Sequence, residues 1–187
     1  QVQSRFDRDA WLRAALEALA EEGEAKLNVE KLAARLGVTK GSFYHHFANR
    51  DAFVRALLSY WEEDFTNWQS RILREGTEPA RERLFEIMRT VHRDRLTRYD
   101  IAFRSWAAQE PEVAEAVRRV DATRYETIRE LFAQMGFEGR ELAERTQLWL
   151  LFHSALGSVH IPEAWPVTEE TLRARLDLLT LGASPKT

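Results

Sequence analysis

Apolar residues recur along this chain at steps of three and four from near its start to near its end, so the pattern is helical throughout. Trp11, Leu12, Ala15, Leu16 and Leu19 place one apolar face on a helix from about Arg8 to Glu22. Val29, Leu32, Ala33 and Leu36 repeat the pattern, with Glu30, Lys31 and Arg35 on the opposite face. Asn28 is placed to cap that second helix. Gly37 is placed to end it, because a helix C-terminus commonly needs a residue in the left-handed region. Thr39 then stands at the start of a short helix in which Phe43 and Phe47, four apart, anchor one face to a core. Asn49 caps the next helix. The stripe Val54, Leu57, Leu58, Trp61, Phe65, Trp68 and Ile72 predicts that it runs unbroken from Arg50 to about Leu73, closed by Gly76.

Four further patterns follow. Leu84, Phe85, Met88, Val91 and His92 line a helix from Pro79 to about Leu96, and Phe103 and Trp106 mark a short one from Ile101 to Gln109. Pro111 opens a long helix to Met135, with Val113, Val117, Val120, Arg124, Ile128, Leu131 and Met135 in its stripe. The last two run from about Gly139 to Val159 and Thr168 to Leu181, separated by an IPEAWPV linker. Strand signals are almost absent, and Pro and Gly fall between the patterns, which makes the fold class all-α. The stretch Gln147–Ile161 is apolar nearly all round, so it must be covered on both sides. Its own domain and a second copy of the chain would together do this; a monomer with a fully buried core helix is the other solution.

The segment Asn28–Arg50 carries chemistry as well as structure. Lys40, Gly41, Ser42, Tyr44, His45 and His46 occupy the face of the short helix that its two phenylalanines leave free. Gly41 costs about 1 kcal/mol against Ala in a helix interior. A close approach to a phosphate or base edge would explain its presence. Two helices joined by a tight turn, the second polar and aromatic on its outer face, form a helix-turn-helix aimed at a DNA major groove. Charge agrees with this. Residues 26–50 hold Lys26, Lys31, Arg35, Lys40 and Arg50 against Glu30 alone, although the whole chain has a net charge of −3.

On these residues the chain resembles the TetR family of bacterial transcriptional regulators. Members read close to GVSKGSLYHHFPSKEAL where this chain has GVTKGSFYHHFANRDAF, and the run from Phe6 to Ala33 resembles the family's first helix and its lead into the second. The likeness covers residues 5–60. Arg50 stands where Lys is usual, which keeps a phosphate contact, and Asn28 where Thr is usual, which keeps a cap but alters a backbone contact. The resemblance implies an N-terminal three-helix DNA-binding domain (residues 1–50, linked through helix 50–73) and a C-terminal helical ligand-binding and dimerisation domain (51–187). It implies a repressor that binds a palindromic duplex DNA operator as a homodimer and is released by a small-molecule effector. Lys40, Tyr44 and Arg50 would hold phosphates, and Thr39, Gly41, Ser42 and His45 would face base edges, with Asn28 and His46 in the same surface. The matching effector cavity would be lined by Trp68, Met88, His92, Phe103, Trp106, Arg124, Ile128, Trp149 and His153. The dimer bundle would use Leu148, Leu151, Phe152, Ala155, Leu172, Leu176 and Leu179. Arg124, a cation on an apolar stripe, needs either a carboxylate such as Asp121 or an anionic effector.

The 187 residues, 44% of them hydrophobic, suffice for one domain or two small ones. The sequence has no cysteine, so disulfides and thiolate metal sites are excluded. No HExxH, GxSxG or phosphate-cradling glycine loop occurs, and no enzyme, cofactor or metal is expected. Adjacent His45 and His46 diverge by about 100° on a helix, and His153 and His160 lie roughly 10.5 Å apart along one, so neither pair chelates an ion. No apolar run reaches the roughly 20 residues of a membrane span, and a cytoplasmic location is expected. The chain starts at Gln1 rather than Met, which points to residues missing or processed ahead of it. A helical small-molecule-binding or adaptor protein with a vestigial DNA-binding fold is the alternative reading.

Overall fold

The computed structural model describes residues 7–23, 27–155, 158–159 and 166–183, without the side chains of Asp64 and Phe65. Lys26, His160 and linker residues 161–165, all drawn on above, lie outside the described residues. Ten helices occupy the described residues: α1 (Arg8–Glu22), α2 (Val29–Leu36), α3 (Lys40–His46), α4 (Arg50–Phe65), α5 (Asn67–Glu75), α6 (Ala80–Arg93), α7 (Thr97–Ala107), α8 (Pro111–Gln134), α9 (Gly139–Ala155) and α10 (Glu169–Thr180). No strand occurs among them, as the all-α reading requires.

The helix ends follow from local chemistry. Asp7 caps α1 and Asn28 caps α2, each side-chain oxygen accepting a first-turn backbone N–H, at 2.9 and 2.8 Å. Gly37 closes α2 in the left-handed region at φ 67°. Asn49 accepts the Ala52 N–H at 2.8 Å and so starts α4. Thr168 and Thr171 satisfy each other's backbone N–H groups at the start of α10.

Three boundaries differ from the sequence reading. The single helix expected over residues 50–73 is two, α4 and α5, broken at Thr66. Thr66 leaves helical geometry at φ −122° and ψ −48°, and its buried hydroxyl accepts a hydrogen bond from Arg124 Nη2 at 3.4 Å. A β-branched residue followed by Asn is a weak point in a helix, and a buried side-chain partner elsewhere exploits it. The helix expected from Ile101 starts at Thr97, after Arg95 turns the chain at φ 52°. The helix expected to reach Val159 is α9, described over Gly139–Ala155, and Ser158 and Val159 are not helical; Ser158 donates from both its N–H and its hydroxyl to the Ala155 carbonyl, at 2.9 and 2.6 Å.

The chain divides into two compact units. The first comprises residues Gln1–Phe65 and Tyr99–Val117; the second comprises Thr66–Arg98 and Arg118–Thr187. Helix α8 gives Pro111–Val117 to the first unit and its remainder to the second. In the first unit, Trp11, Leu12, Leu16, Leu32, Phe43, Phe53, Leu57 and Trp61 are buried together with Phe103 and Val113. The second unit's core joins Leu84, Phe85, Met88, Ile128, Leu131, Phe132, Trp149, Leu172 and Leu176. Arg145 ties that core's edge, donating to the Leu179 and Leu181 carbonyls at 2.6 and 2.7 Å from α9. Its guanidinium lies 4.1 Å over the Phe137 ring.

Candidate nucleic-acid interface

Helix α3 is held by its aromatics. Phe43 is fully buried, with Trp11, Phe47 and Phe53 ring centroids 5.4, 5.1 and 5.2 Å from its own. Edge-to-face contacts of this kind fix a ring's orientation beyond what apolar burial alone does. A helix of seven residues has little stability of its own, so this anchor sets its position.

The opposite side of α3 is open. Lys40, Gly41, Tyr44 and His45 are exposed, Tyr44 by 54%. Lys40 with Tyr44 and Gly41 with His45 form two neighbouring rows four residues apart, one face of the helix. Thr39 is exposed at the N-cap position. Its side chain makes no capping hydrogen bond; its carbonyl accepts from the Ser42 N–H at 3.0 Å. Ser42 and His46 are half-buried at the margins, Arg50 is exposed at the start of α4, and half-buried Asn28 is engaged in capping α2.

Gly41 has no internal reason to be glycine. Its φ is not in the left-handed region, and a Cβ there would meet nothing closer than the Thr39 Oγ1 at 3.7 Å, ordinary contact. The helix thus carries the conformational cost of a glycine without a packing gain inside the chain.

Two cations of the segment are already engaged. Lys40 Nζ pairs with the Glu30 carboxylate of α2, a contact between residues ten apart that sequence spacing does not announce. The hydrogen bond to Glu30 holds the Lys40 ammonium above its ordinary value, and Lys40 holds Glu30 below its own. Arg35 bonds Glu21 of α1 at 2.8 Å, which raises its own value. Lys31 and Arg50 complete the described cationic set.

The residues expected around an effector divide between the units. Phe103 and Trp106 belong to the first, where Phe103 stacks on Trp61 at 4.1 Å and 20°. Trp68, Met88, His92, Arg124, Ile128, Trp149 and His153 belong to the second. There Met88 and Ile128 are core, with Trp68 packed against them. Arg124 is buried, its guanidinium reaching the Thr66 hydroxyl. His153 stacks on Trp149 at 4.0 Å and 25°, and its Nδ1 lies 2.9 Å from the Trp149 carbonyl. Burial pushes His153 down to about 4, with the positive charges of Arg175 and Arg124 adding to the effect. His92 is lowered by burial first and by Arg175 second. The second unit also bears an open groove of about 720 Å³, lined by Trp68, Phe85, Arg89 and Arg173 among others. Of its arginines, Arg89 pairs with Glu86 and Arg173 with Glu82 and Glu169, and Arg83 donates to the Glu78 and Leu73 carbonyls. Among the described residues no cluster of three metal-ligating side chains occurs, and no helix is long and apolar enough to cross a membrane.

Of the leucines assigned to a dimer bundle, Leu172 and Leu176 instead face the second unit's own core, Leu176 with no exposure at all. The 3.6-residue period of α10 that turns them inward turns Leu178 outward, and Leu181, just past the helix end, is exposed as well. On α9, Leu148, Leu151 and Ala155 are exposed, Leu151 by 67%, and Phe152 is half-buried. Leu179 is half-buried against the core.

Residues 12–57 match the family model for bacterial regulatory proteins of the tetR family. Over 79 residues the chain is 35% identical to the transcriptional regulator AcuR of Cereibacter sphaeroides, a match covering 41% of this chain and 36% of that protein. It therefore spans about a third of the curated relative's length. A transcriptional regulator from Rhodococcus sp. Rha1 has a similar fold at a TM-score of 0.68 and 26% identity, covering 91% of both chains. AibR, solved in complex with isovaleryl coenzyme A and operator DNA, shares the fold at a TM-score of 0.67 and 20% identity, covering 92% of this chain and 97% of that one.

Proposed function

We propose that this chain, whose residues 12–57 match the family model for bacterial regulatory proteins of the tetR family, is a regulator of that kind: a dimeric repressor released from a palindromic operator by a small-molecule effector. The observation that carries this reading is α3. A short helix anchored by Phe43 presents Lys40, Gly41, Tyr44 and His45 on one exposed face, with a glycine whose cost nothing inside the chain offsets. In that reading α3 enters the major groove. Lys40, Tyr44 and Arg50 hold phosphates and set the register. Ser42 and His45, with Thr39 and Gly41, lie against base edges, and His46 and Asn28 border the surface.

Exposed leucines on α9 and α10 support the dimer. Leu148, Leu151, Leu178 and Leu181 leave a solvent-facing apolar surface beside the second unit's core, and a twofold partner would cover it. Twofold symmetry also sets two reading helices about 34–36 Å apart, the spacing of successive major grooves. A fold neighbour captured with both a coenzyme A ester and operator DNA supports a second unit that takes an effector. Such a ligand shifts the protein between DNA-competent and incompetent states only by its difference in affinity for the two. Helix α8, continuous from one unit into the other, is the element on which that shift would act.

The test is an electrophoretic shift of duplex DNA taken from upstream of the protein's own gene, with unlabelled specific and random competitors. A shift competed by the specific duplex alone supports the reading. A shift that random DNA competes equally well, or none, overturns it.

A further inference from the structure

Several arginines of the second unit, among them Arg81, Arg89, Arg93, Arg140 and Arg145, pair with a carboxylate. On α10 itself, Arg173 is satisfied by Glu82 and Glu169 and lies 3.9 Å over the Phe85 ring. Two residues on, Arg175 is not satisfied. Its Nη1 is buried with no hydrogen-bond partner, and among the described residues no carboxylate pairs with it. Its guanidinium lies 5.4 Å over the Phe152 ring of α9, and that ring meets the His153 imidazole edge-to-face at 5.1 Å. The Arg175 charge acts on both His92 of α6 and His153 of α9, and that of Arg124 of α8 acts on His153, so basic groups of four helices lie near one another here.

A guanidinium N–H taken out of water without an acceptor is costly, more so than a neutral group, and a native structure that retains one calls for an explanation. The buried Arg124 and two half-buried imidazoles beside it add to the cost. An incoming anion removes it. The surrounding side chains set the rest of the ligand: Trp149, Phe152 and the stacked His153 ring offer apolar and aromatic surface. His153, with Nδ1–H donating to the Trp149 carbonyl, keeps Nε2 as its free ring nitrogen. We propose that Arg175 anchors the carboxylate of a small effector with an apolar body, received in the second unit beside His92, Arg124 and His153. This deepens the effector reading given above and rests on it.

Tryptophan fluorescence titration with 2-naphthoate and its neutral isostere 2-naphthamide tests the assignment on the full chain. The wild-type protein should bind the carboxylate about tenfold or more tighter than the amide, the scale of a charge-assisted hydrogen bond. Arg175→Met should bind the two alike without a lower melting temperature, because it removes a guanidinium whose buried Nη1 has no hydrogen-bond partner and keeps an apolar chain against Phe152. Should that variant not fold, Arg175→Gln, which keeps hydrogen-bonding capacity but loses the charge, should reduce the preference in the same way. Equal affinity of the wild type for the two probes, no saturable binding of either, or a preference that survives both substitutions overturns it. The operator shift measured on the same preparations separates the two readings. Operator binding without a charge preference ends the anion site and leaves the regulator. An Arg175-dependent preference without operator binding does the reverse.

Discussion

Lys40 illustrates how a single residue is poised between two partners. In the free protein its ammonium lies on Glu30; on an operator it would exchange that carboxylate for a phosphate. Both groups are exposed, so the pair contributes little to stability, and its effect falls on DNA affinity. Lys40→Ala should weaken binding on every sequence and flatten the salt dependence by about one unit of log–log slope. Glu30→Gln should do the opposite to affinity, tightening binding severalfold by freeing the lysine. An unchanged salt slope in the first variant would remove Lys40 from the phosphate contacts. His153 gives a second residue-scale expectation. Its folded value of about 4 lies below its ordinary 6.5, so the unfolded chain takes up the proton first. Its contribution to stability is therefore present above about 6.5 and is lost as pH falls toward 4, to a total of roughly 3 kcal/mol. Urea midpoints at pH 7 and pH 5 should show a smaller loss in His153→Gln than in wild type. Equal losses would mean that the imidazole is not buried neutral.

At the scale of elements, α3 joins fold and function most tightly. Gly41→Ala should stabilise the free protein by about 0.5–1 kcal/mol, because the site has room for a methyl group and helix propensity rises. The same change should weaken operator binding, because the methyl group would stand on the face proposed to meet DNA. Thermal melts and the gel shift read the two effects separately; a variant that is stabilised with unaltered affinity would show that α3 does not approach DNA closely at Gly41. The helix itself, its anchors and its caps were legible in the sequence, because Phe43–Phe47, Asn28, Gly37 and Asn49 act through neighbours three or four residues away. The break at Thr66 was not legible. The apolar stripe runs through it without a fault, and the buried hydrogen bond from Arg124 comes from a residue 58 positions along the chain. The Lys40–Glu30 pair was hidden for the same reason, since it forms across a turn between two helices. Arg175 sits between the inward Leu172 and Leu176, a position that marks a cation near the core. Its lack of a partner is a property of four converging helices and cannot be read from α10 alone.

At the scale of the whole molecule, the proposed dimer rests on the division of apolar residues between α9 and α10. Leu172 and Leu176 stabilise the second unit, and Leu148, Leu151, Leu178 and Leu181 remain exposed. Leu151→Glu should therefore leave the helical content of the protein intact while raising the dimer dissociation constant by at least about tenfold, since a twofold interface meets each substitution twice. Sedimentation velocity across a concentration series reads this directly, and an unchanged dimer would place the interface elsewhere. The central claim is that α3 of two protomers reads a symmetric duplex. Selection from a random-sequence duplex library measures it most directly. A twofold pair of α3 helices should enrich an inverted repeat whose half-site centres lie about 10–10.5 base pairs apart or a multiple of that, with His45→Ala relaxing preference at one position of each half-site. Enrichment of an asymmetric single site, or of no sequence at all, would contradict it.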